Sequence, residues 1–259
     1  MAIVGVLHPG SMGSAVGAVL RARGHEALWA SEERSAATAA RAQAAGMHDA
    51  GTVAAVLARA EVVLSICPPH AALETAALAS GCDGVYVDAN AVSPETARAA
   101  RAIVGGRFVD GGIIGPPPAQ PGTTRLYLSG EEAASVARLF GDGPLEAIVV
   151  DDEVGAASAL KMTYAAWTKG TAALLVAIRA TARAHGVDDA LLEEWALSQP
   201  RLADRYERAV EASGEKGWRW VSEMREIAQT FAAAGQPDGF HVAAAEVFAS
   251  PPGGVRSSS

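Results

Sequence analysis

Lysine is rare in this chain, and one lysine lies where proton transfer would need it. Lys161, Lys169 and Lys216 are the only lysines among the 21 residues that are Lys or Arg. Arginine stays protonated in a protein, whereas burial lowers the pKa of a lysine and lets it exchange a proton near neutral pH. By itself the position of Lys161 also suits a surface lysine on a helix, but the other motifs of the chain favour a general acid or base.

Two polar side chains share the predicted helical face of Lys161. Tyr164 lies about 60° around the helix from the lysine, and Thr168 about 20°. Both side chains are therefore predicted to reach the same cleft as the lysine. For Tyr164, a packed aromatic residue stays open as an alternative to a catalytic role or a substrate contact.

The composition argues against several classes of function. The chain has 259 residues, a net charge of −8, a sequence pI of about 5.3 and no basic cluster, which argues against nucleic acid as a partner. Its apolar runs are too short or interrupted for a membrane span, and we expect no signal peptide. Cys67 and Cys82 form no CxxC pair and the histidines no HExxH motif, so no metal is expected. We expect a cytoplasmic protein with a small-molecule substrate.

The first half of the chain alternates short apolar strands with helices, which predicts an α/β domain over residues 1–150. Strands are expected at 3–7, 27–30, 62–66, 85–88, from 108 and at 125–129, and helices at 14–23, 35–45, 52–59, 71–79 and 94–104. Such alternation is typical of a doubly wound parallel sheet with helices on both faces. Ligands of these sheets bind beyond the carboxyl ends of the strands.

The first strand-to-helix turn carries a partial dinucleotide-binding fingerprint. Its three glycine positions hold His8, Gly10 and Gly13. Gly10 would let the backbone approach a pyrophosphate, Gly13 would let the helix pack on the strand, and His8 replaces the glycine of the tight turn. The helix start also offers free N–H groups to phosphate. The predicted cofactor-binding residues here are His8, Pro9, Gly10, Ser11, Met12 and Gly13.

The end of the second strand bears on the choice between NADP and NAD. An acidic residue there would bind the ribose 2′-hydroxyl of NAD, but Ser31 holds the position and Arg34 follows within reach of a 2′-phosphate. Glu32 and Glu33 favour NAD, unless they lie in the first turn of the next helix, where acids are common. NADP is the expected cofactor, and NAD is the alternative.

The second half of the chain predicts an all-α domain over residues 151–250. Helices are expected at 155–185, 188–197, 200–212, 218–234 and 240–248, and the tail 251–259 is expected to be disordered. The first helix is apolar almost all round, which is typical of a helix buried between subunits or in a bundle and favours a homodimer. Trp220 and Met224 are interpreted as packing residues or as a wall of the substrate site.

Four segments match the motifs of a known enzyme superfamily in order and spacing. Residues 10–13 read Gly-Ser-Met-Gly, 66–69 read Ile-Cys-Pro-Pro, 88–94 read Asp-Ala-Asn-Ala-Val-Ser-Pro, and 155–161 read Gly-Ala-Ala-Ser-Ala-Leu-Lys. Together they resemble the β-hydroxyacid dehydrogenase and 6-phosphogluconate dehydrogenase-like superfamily. The chain looks closest to the branch whose C-terminal domain, of uncertain function, is phosphogluconate-dehydrogenase-like.

The resemblance implies a Rossmann domain followed by an all-α domain. It further implies a dimer built on the long helix and a catalytic role for Lys161. The cofactor residues that it adds are Cys67, Pro68, Pro69 and Asn90, and the substrate positions are Ile114, Gly115 and Ala165. Thr168, Trp220 and Met224 complete the predicted substrate set, and Tyr164 joins Lys161 as a candidate catalytic residue.

The chain also departs from the family pattern. Ile114 stands where the family has a carboxylate-binding serine, and Ala165 replaces an asparagine, which argues against a simple 3-hydroxy acid such as hydroxyisobutyrate. The sequence predicts an NAD(P)-dependent oxidoreductase that transfers hydride between nicotinamide and a small hydroxy or carbonyl compound. The alternatives are an imine reductase-like enzyme, against which Lys161 argues, and a protein that binds NADPH without catalysis.

Overall fold

The chain folds into two compact units. The computed structural model describes residues 1–249, with the backbone alone for Glu215 and Lys216, so the tail predicted at 251–259 lies outside the described residues. The first unit, Met1–Lys161, is an α/β sheet, and the second unit begins at Met162 and is helical. The predicted order, an α/β sheet followed by an all-α region, is confirmed.

Within residues 1–249, eight strands form one sheet. The strands are β1 (Ile3–Val6), β2 (Glu26–Trp29), β3 (His48–Asp49), β4 (Val62–Ser65), β5 (Val85–Asp88), β6 (Phe108–Ile114), β7 (Thr124–Ser129) and β8 (Leu145–Asp151). Their order across the sheet is β3-β2-β1-β4-β5-β6-β7-β8. All neighbours are parallel except β6 and β7. The prediction of parallel pairing is wrong at β7, because no crossover helix joins it to β6 and a parallel pair needs one.

In the described part of this unit six α-helices lie between consecutive strands, and a short 3-10 helix, Pro69–Ala71, precedes the fourth of them. The six α-helices are α1 (Ser11–Ala22), α2 (Ala36–Ala44), α3 (Val53–Leu57), α4 (Ala72–Leu78), α5 (Pro94–Val104) and α6 (Ala133–Ala137). Ser35, Thr52 and Ser93 start three of them as N-caps, and each side-chain oxygen accepts a backbone N–H three residues on. Helix α1 begins at Ser11, three residues earlier than predicted, so the fingerprint turn itself opens the helix.

Apolar side chains pack on both faces of the sheet. The adjacent residues Val63 and Leu64 of β4 belong to two separate apolar clusters, as alternation along a strand requires. Tyr86 of β5 and Phe108 of β6 stack with their ring centroids 5.8 Å apart. Burial on both faces makes the central strands a rigid support for the loops at their carboxyl ends.

The helical region contains α7 (Ala156–Ala184), α8 (Asp188–Ser198), α9 (Leu202–Ala233) and α10 (Gly239–Ala249). Gly186, with a left-handed φ of 69°, follows the end of α7 as a helix C-cap glycine does. The two helices predicted at 200–212 and 218–234 are a single helix, α9, so the predicted break is wrong. Gly214 and Gly217 cost the helix about 1 kcal/mol each, and packing against α10 offsets that cost.

Side-chain contacts tie three of these helices together. Arg179 of α7 donates to Asp188 Oδ2 of α8 at 2.7 Å, and its guanidinium lies 4.5 Å from the ring centroid of Tyr206 in α9. No helix within residues 1–249 is long and apolar enough to cross a membrane.

Candidate functional site

The predicted cofactor residues follow the carboxyl ends of neighbouring strands. Because β1, β2, β4 and β5 are mutually parallel, these ends lie along one edge of the sheet. The chain leaves β1 towards β2 on one side and meets β4 on the other, which opens a crevice at the switch point. The edge carries His8 to Gly13 after β1, Ser31 and Arg34 after β2, Cys67, Pro68 and Pro69 after β4, and Asn90 after β5.

The two glycines of the fingerprint have different structural roles. Gly10 is the N-cap of α1, and a Cβ added to it would meet no atom within 4 Å. A Cβ at Gly13 would instead overlap the carbonyl oxygen of His8. Gly13 is therefore required by the turn itself, whereas Gly10 keeps an open approach to the free N–H groups of the helix start.

The loop after β2 presents Arg34 from a tight turn. The Arg34 N–H donates to the Ser31 carbonyl at 3.1 Å, and Glu33 has a left-handed φ of 56°. Glu32 and Glu33 are exposed and precede α2, so the explanation that they lie in its first turn is wrong.

Asp49, at the end of β3, is an acidic neighbour of this loop that the sequence reasoning missed. Its Oδ1 accepts the N–H groups of Ser31 at 3.2 Å and Gly51 at 2.8 Å. Although burial acts to raise the pKa of Asp49, these hydrogen bonds hold it below its usual value. The carboxylate is thus engaged by backbone groups of the two adjoining loops.

His8 and Arg34 form an unusual pair beside the fingerprint turn. Burial, and secondly the positive charge of Arg34, lower the pKa of His8 to about 4. Within the described chain, neither His8 Nδ1 nor Arg34 Nε has a hydrogen-bond partner, although both atoms are shielded from solvent. The imidazole is therefore neutral at pH 7, and the guanidinium whose charge acts on it has a buried N–H without an acceptor in the described chain.

Asn90 connects the ends of β4 and β5 through hydrogen bonds. Its Oδ1 accepts the Cys67 N–H at 2.6 Å, its Nδ2 donates to Ser65 Oγ at 3.0 Å, and its own N–H donates to Asp88 Oδ1 at 3.1 Å. Burial raises the pKa of the neighbouring Cys67 thiol, which keeps that group neutral. Asn90 fixes the shape of this part of the edge, and its direct contact with a cofactor stays a prediction.

Helix α7, which carries Lys161, begins against β6 on a buried carboxylate. Asp110 Oδ2 accepts the N–H groups of Gly155 and Ser158, each at 2.9 Å, and Oδ1 accepts the Ser158 hydroxyl at 2.6 Å. Ser129 Oγ donates to the same carboxylate at 3.1 Å and accepts the Ala157 N–H at 3.1 Å. Burial raises the pKa of Asp110, and these bonds oppose the rise. The carboxylate and Ser129 thus satisfy N–H groups that a helix start leaves free.

Gly112 has no side chain, and this lets Lys161 lie close to strand β6. A Cβ at Gly112 would come within 2.8 Å of Lys161 Cβ and 3.0 Å of the Ala157 carbonyl oxygen. Since Asp110 holds the first turn of α7 and Gly112 contacts the next, residues 156–161 run along β6 towards its carboxyl end. The half-buried Lys161 therefore lies on the side of the sheet edge where the cofactor loops lie.

The strand end beyond Gly112 carries the two substrate positions predicted in this unit. Ile114 is buried, and Gly115 has a φ of 130°. A Cβ at Gly115 would come within 2.8 Å of Thr124 Cα, so this glycine lets the loop leave β6 close to β7. Ile114, the last residue of β6, has an apolar side chain and supplies no side-chain hydrogen-bond donor at this position.

The remaining predicted residues lie on helices of the second unit. Tyr164 and Thr168 are exposed on α7, whereas Ala165 and Met224 are buried. Trp220 packs edge-on against Phe248 with ring centroids 5.0 Å apart. Lys169 Nζ donates to Glu223 Oε1 at 2.7 Å. Contact of these residues with a substrate stays a prediction.

Replacing Asp110 with asparagine is expected to lower the free energy of unfolding by about 2–4 kcal/mol, because an amide cannot accept every donor that now converges on the carboxylate. Chemical denaturation measures the change. Asp142→Asn, at an exposed position, is the matched control and should change stability little. A loss for Asp110→Asn no larger than the control would contradict the anchoring role of the carboxylate.

Comparison with known sequences gives two partial matches. Residues 182–250 match a family model described as a domain of unknown function (DUF1932). An uncharacterized 28.5 kDa protein of Methanothermus fervidus is 35% identical over 136 residues, which are 51% of this chain and 52% of that protein. The match therefore spans about half the length of this curated relative.

Among the solved structures that share the fold, two illustrate the range of similarity over nearly the whole chain. A conserved protein described as structurally similar to 3-hydroxyacid dehydrogenases is 28% identical, with a TM-score of 0.71 and 95% of each chain covered. A reductive aminase of Aspergillus terreus in complex with NADPH and ethyl levulinate is 18% identical, with a TM-score of 0.60 and 96% of this chain and 93% of that chain covered. At 18% identity the second likeness shows the fold alone.

Proposed function

Because the chain belongs to the β-hydroxyacid dehydrogenase-like superfamily, with a distinct C-terminal domain, we propose that it is an NAD(P)-dependent oxidoreductase. Its substrate is a small hydroxy or carbonyl compound, and Lys161 is the general acid or base. The observation that carries the proposal is the position of Lys161. It packs against β6 near the sheet edge that also carries the fingerprint turn. Loss of NADPH absorbance with a panel of small aldehydes and ketones tests it.

The residues of the sheet edge fit a dinucleotide. Gly10 leaves open space at the start of α1 for a pyrophosphate, and the unpartnered Nε of Arg34 offers a donor to an anion near the ribose. When bound, the nicotinamide gives or accepts the hydride. The chain's own groups bind and orient the cofactor at this edge.

Lys161 would move the proton that accompanies the hydride. In oxidation its neutral amine takes the proton of the substrate hydroxyl, and in reduction its ammonium gives a proton to the new alkoxide oxygen. Asp110 holds the first turn of α7 through the Ser158 N–H, and Gly112 lets Lys161 Cβ lie close to β6, so the side chain of Lys161 starts from a fixed point. The apolar Ile114 supports a substrate less polar than a simple 3-hydroxy acid.

NADP is the proposed cofactor, and Arg34 decides the preference. Replacing Arg34 with alanine should weaken NADPH binding by about 10-fold or more, because a charge-assisted bond to the 2′-phosphate is lost, and leave NADH binding nearly unchanged. Fluorescence titration measures both affinities. Arg41→Ala, on the exposed surface of α2, is the matched control. Equal losses for both cofactors, or a wild-type preference for NADH, would refute the role of Arg34.

A reductase of C=N bonds is the second candidate. The half-exposed Tyr164 on α7 supports it, since its hydroxyl is accessible as a proton donor on the helix that carries Lys161. Adding amines to the carbonyl panel separates the two functions: a C=N reductase consumes NADPH only when an amine is present. Binding of NADPH without turnover of any compound would favour a non-catalytic protein.

We also propose a homodimer formed through the helical unit. Trp167, Leu174 and Phe240 are 63%, 59% and 80% exposed around an apolar groove of about 310 Å³ between α7 and α10. Apolar patches beyond a few hundred Å² are rare on monomers, and a second copy of the chain would cover this one.

Light scattering should therefore give about twice the 26.4 kDa mass of the chain. Leu174→Asp should shift the protein towards the monomer, because it places a charge in the apolar face. Leu197→Asp, at an exposed position on α8, is the control and should leave the mass unchanged. A wild-type monomer at micromolar concentration would contradict the proposed dimer.

A further inference from the structure

Two nitrogen atoms beside the fingerprint turn are buried and unpartnered. His8 Nδ1 and Arg34 Nε are shielded from solvent, and neither has a hydrogen-bond partner within residues 1–249. They come from loops at the ends of β1 and β2, which are neighbouring parallel strands. Buried polar atoms without partners are rare in folded proteins. Two of them in adjoining loops indicate a place prepared for a polar group of a ligand.

The charges around the pair indicate which ligand it would take. Arg34 is the charged group that acts on His8, from the loop after β2. In that loop Glu32 and Glu33 are exposed, and across it Asp49 is engaged by the N–H groups of Ser31 and Gly51. A guanidinium and an imidazole that can both donate hydrogen bonds match an anion with several acceptor oxygens, such as a phosphate monoester.

The backbone holds both side chains in this arrangement. The hydrogen bond from the Arg34 N–H to the Ser31 carbonyl closes a turn that places Glu33 in the left-handed region. The His8 carbonyl accepts the Gly10 N–H at 2.8 Å and lies against Gly13, which fixes the backbone from which the imidazole projects. A histidine at this fingerprint position brings a polar side chain to a place where glycine has none.

We propose that His8 is a specificity-determining residue that binds the 2′-phosphate of NADPH together with Arg34. This inference rests on the proposed binding of a nicotinamide dinucleotide at the same edge. A phosphate beside the ring favours the imidazolium, so His8, neutral in the free protein, takes up a proton when NADPH binds. NADPH affinity should then rise as the pH falls from about 8 to 6, in the range where histidine can titrate. NADH affinity should not follow.

The experiment compares ligands that differ only in the 2′-phosphate. Wild type and His8→Gly, which restores the glycine of the fingerprint, are titrated by calorimetry with NADPH, NADH, 2′,5′-ADP and 5′-AMP. His8→Gly should weaken NADPH and 2′,5′-ADP by about 10-fold and leave NADH and 5′-AMP unchanged. Titration in two buffers of different ionisation enthalpy should show proton uptake with NADPH in wild type and none in His8→Gly. His48→Ala, an exposed histidine on β3, is the control.

The outcomes separate this inference from the proposed function. Wild type that binds neither dinucleotide would overturn the proposed function and this inference with it. If wild type binds both dinucleotides and His8→Gly keeps the same NADPH-to-NADH ratio, the inference alone is overturned. An equal loss of both dinucleotides would assign His8 to a part of the cofactor common to both and would likewise overturn it.

Discussion

Lys161→Arg is expected to lower turnover by about 10²–10⁴-fold, the usual contribution of a general acid or base. The substitution keeps the positive charge and roughly the length of the side chain, but a guanidinium does not give up its proton in a protein. Lys161→Ala should lose as much or more. NADPH affinity should change little in both variants, because Lys161 is proposed to contact the substrate and not the cofactor. Steady-state kinetics with any substrate found in the carbonyl panel measures the effect.

The matched control is Lys169→Arg. Lys169 lies on the same helix and is paired with Glu223, an ion pair that arginine can also form, so turnover should stay near that of wild type. The pH profile adds an independent test. Oxidation by wild type should depend on a group whose pKa is below the ordinary lysine pKa of about 10.4. The corresponding pH dependence of the rate should vanish in both Lys161 variants.

A lysine with a purely structural role would give a different pattern. Lys161→Arg would then work almost normally, and the pH dependence would remain. In that event Tyr164 would become the candidate proton donor, and reduction of a C=N bond would become the better proposal.

Gly10→Val should weaken NADPH binding by about 100-fold or more, because several phosphate hydrogen bonds to the helix start would be blocked at once. The space beside Gly10 is open in the protein, and its φ of −68° suits any residue, so the fold should survive. Fluorescence titration measures the affinity, and thermal unfolding checks the fold. Unchanged NADPH affinity in a folded Gly10→Val protein would remove the cofactor from this turn.

Gly13→Ala is the informative comparison for Gly10→Val. Its methyl group would overlap the His8 carbonyl oxygen, so this variant should lose stability as well as cofactor affinity. Gly122→Ala tests for a general effect of glycine replacement in loops, since a Cβ there meets open space. Its φ of 80° predicts a small loss of stability and unchanged NADPH affinity.

The sequence predicted much of the fold because its signals are local. Strong apolar runs locate β1, β4 and β5, and the helices predicted from 35, 52 and 94 begin within one residue of those positions. Strands β3 and β8 were missed. The first has two exposed polar residues, and the second lies at the edge of the sheet, where most of its residues are partly buried or exposed although residues 147–150 are all apolar. The continuity of α9 also escaped prediction, because glycine usually indicates a helix end and only tertiary packing overrides it.

The residues of the candidate site could be predicted only where a reactive or phosphate-binding residue type also stood at a recognisable spacing in the sequence. Lys161, Gly10 and Arg34 could be found from residue type and spacing. The support of Lys161 could not, because Asp110 and Ser129 approach α7 from strands that are distant in sequence. The pair Gly111-Gly112 is the one signal that could have revealed the close approach of the helix, since glycine inside a strand often indicates close backbone contact.

Transfer of deuterium from the cofactor to the product is the most direct test of the proposed oxidoreductase. NADPH deuterated at C4 of the nicotinamide is incubated with the carbonyl panel, with and without amines, and products are analysed by mass spectrometry. We predict deuterium on the former carbonyl carbon of at least one product with wild type, and a rate about 10²–10⁴-fold lower with Lys161→Ala. Tight binding of NADPH with no deuterium in any carbonyl or amine product would contradict the account and leave a protein that binds the cofactor without using it.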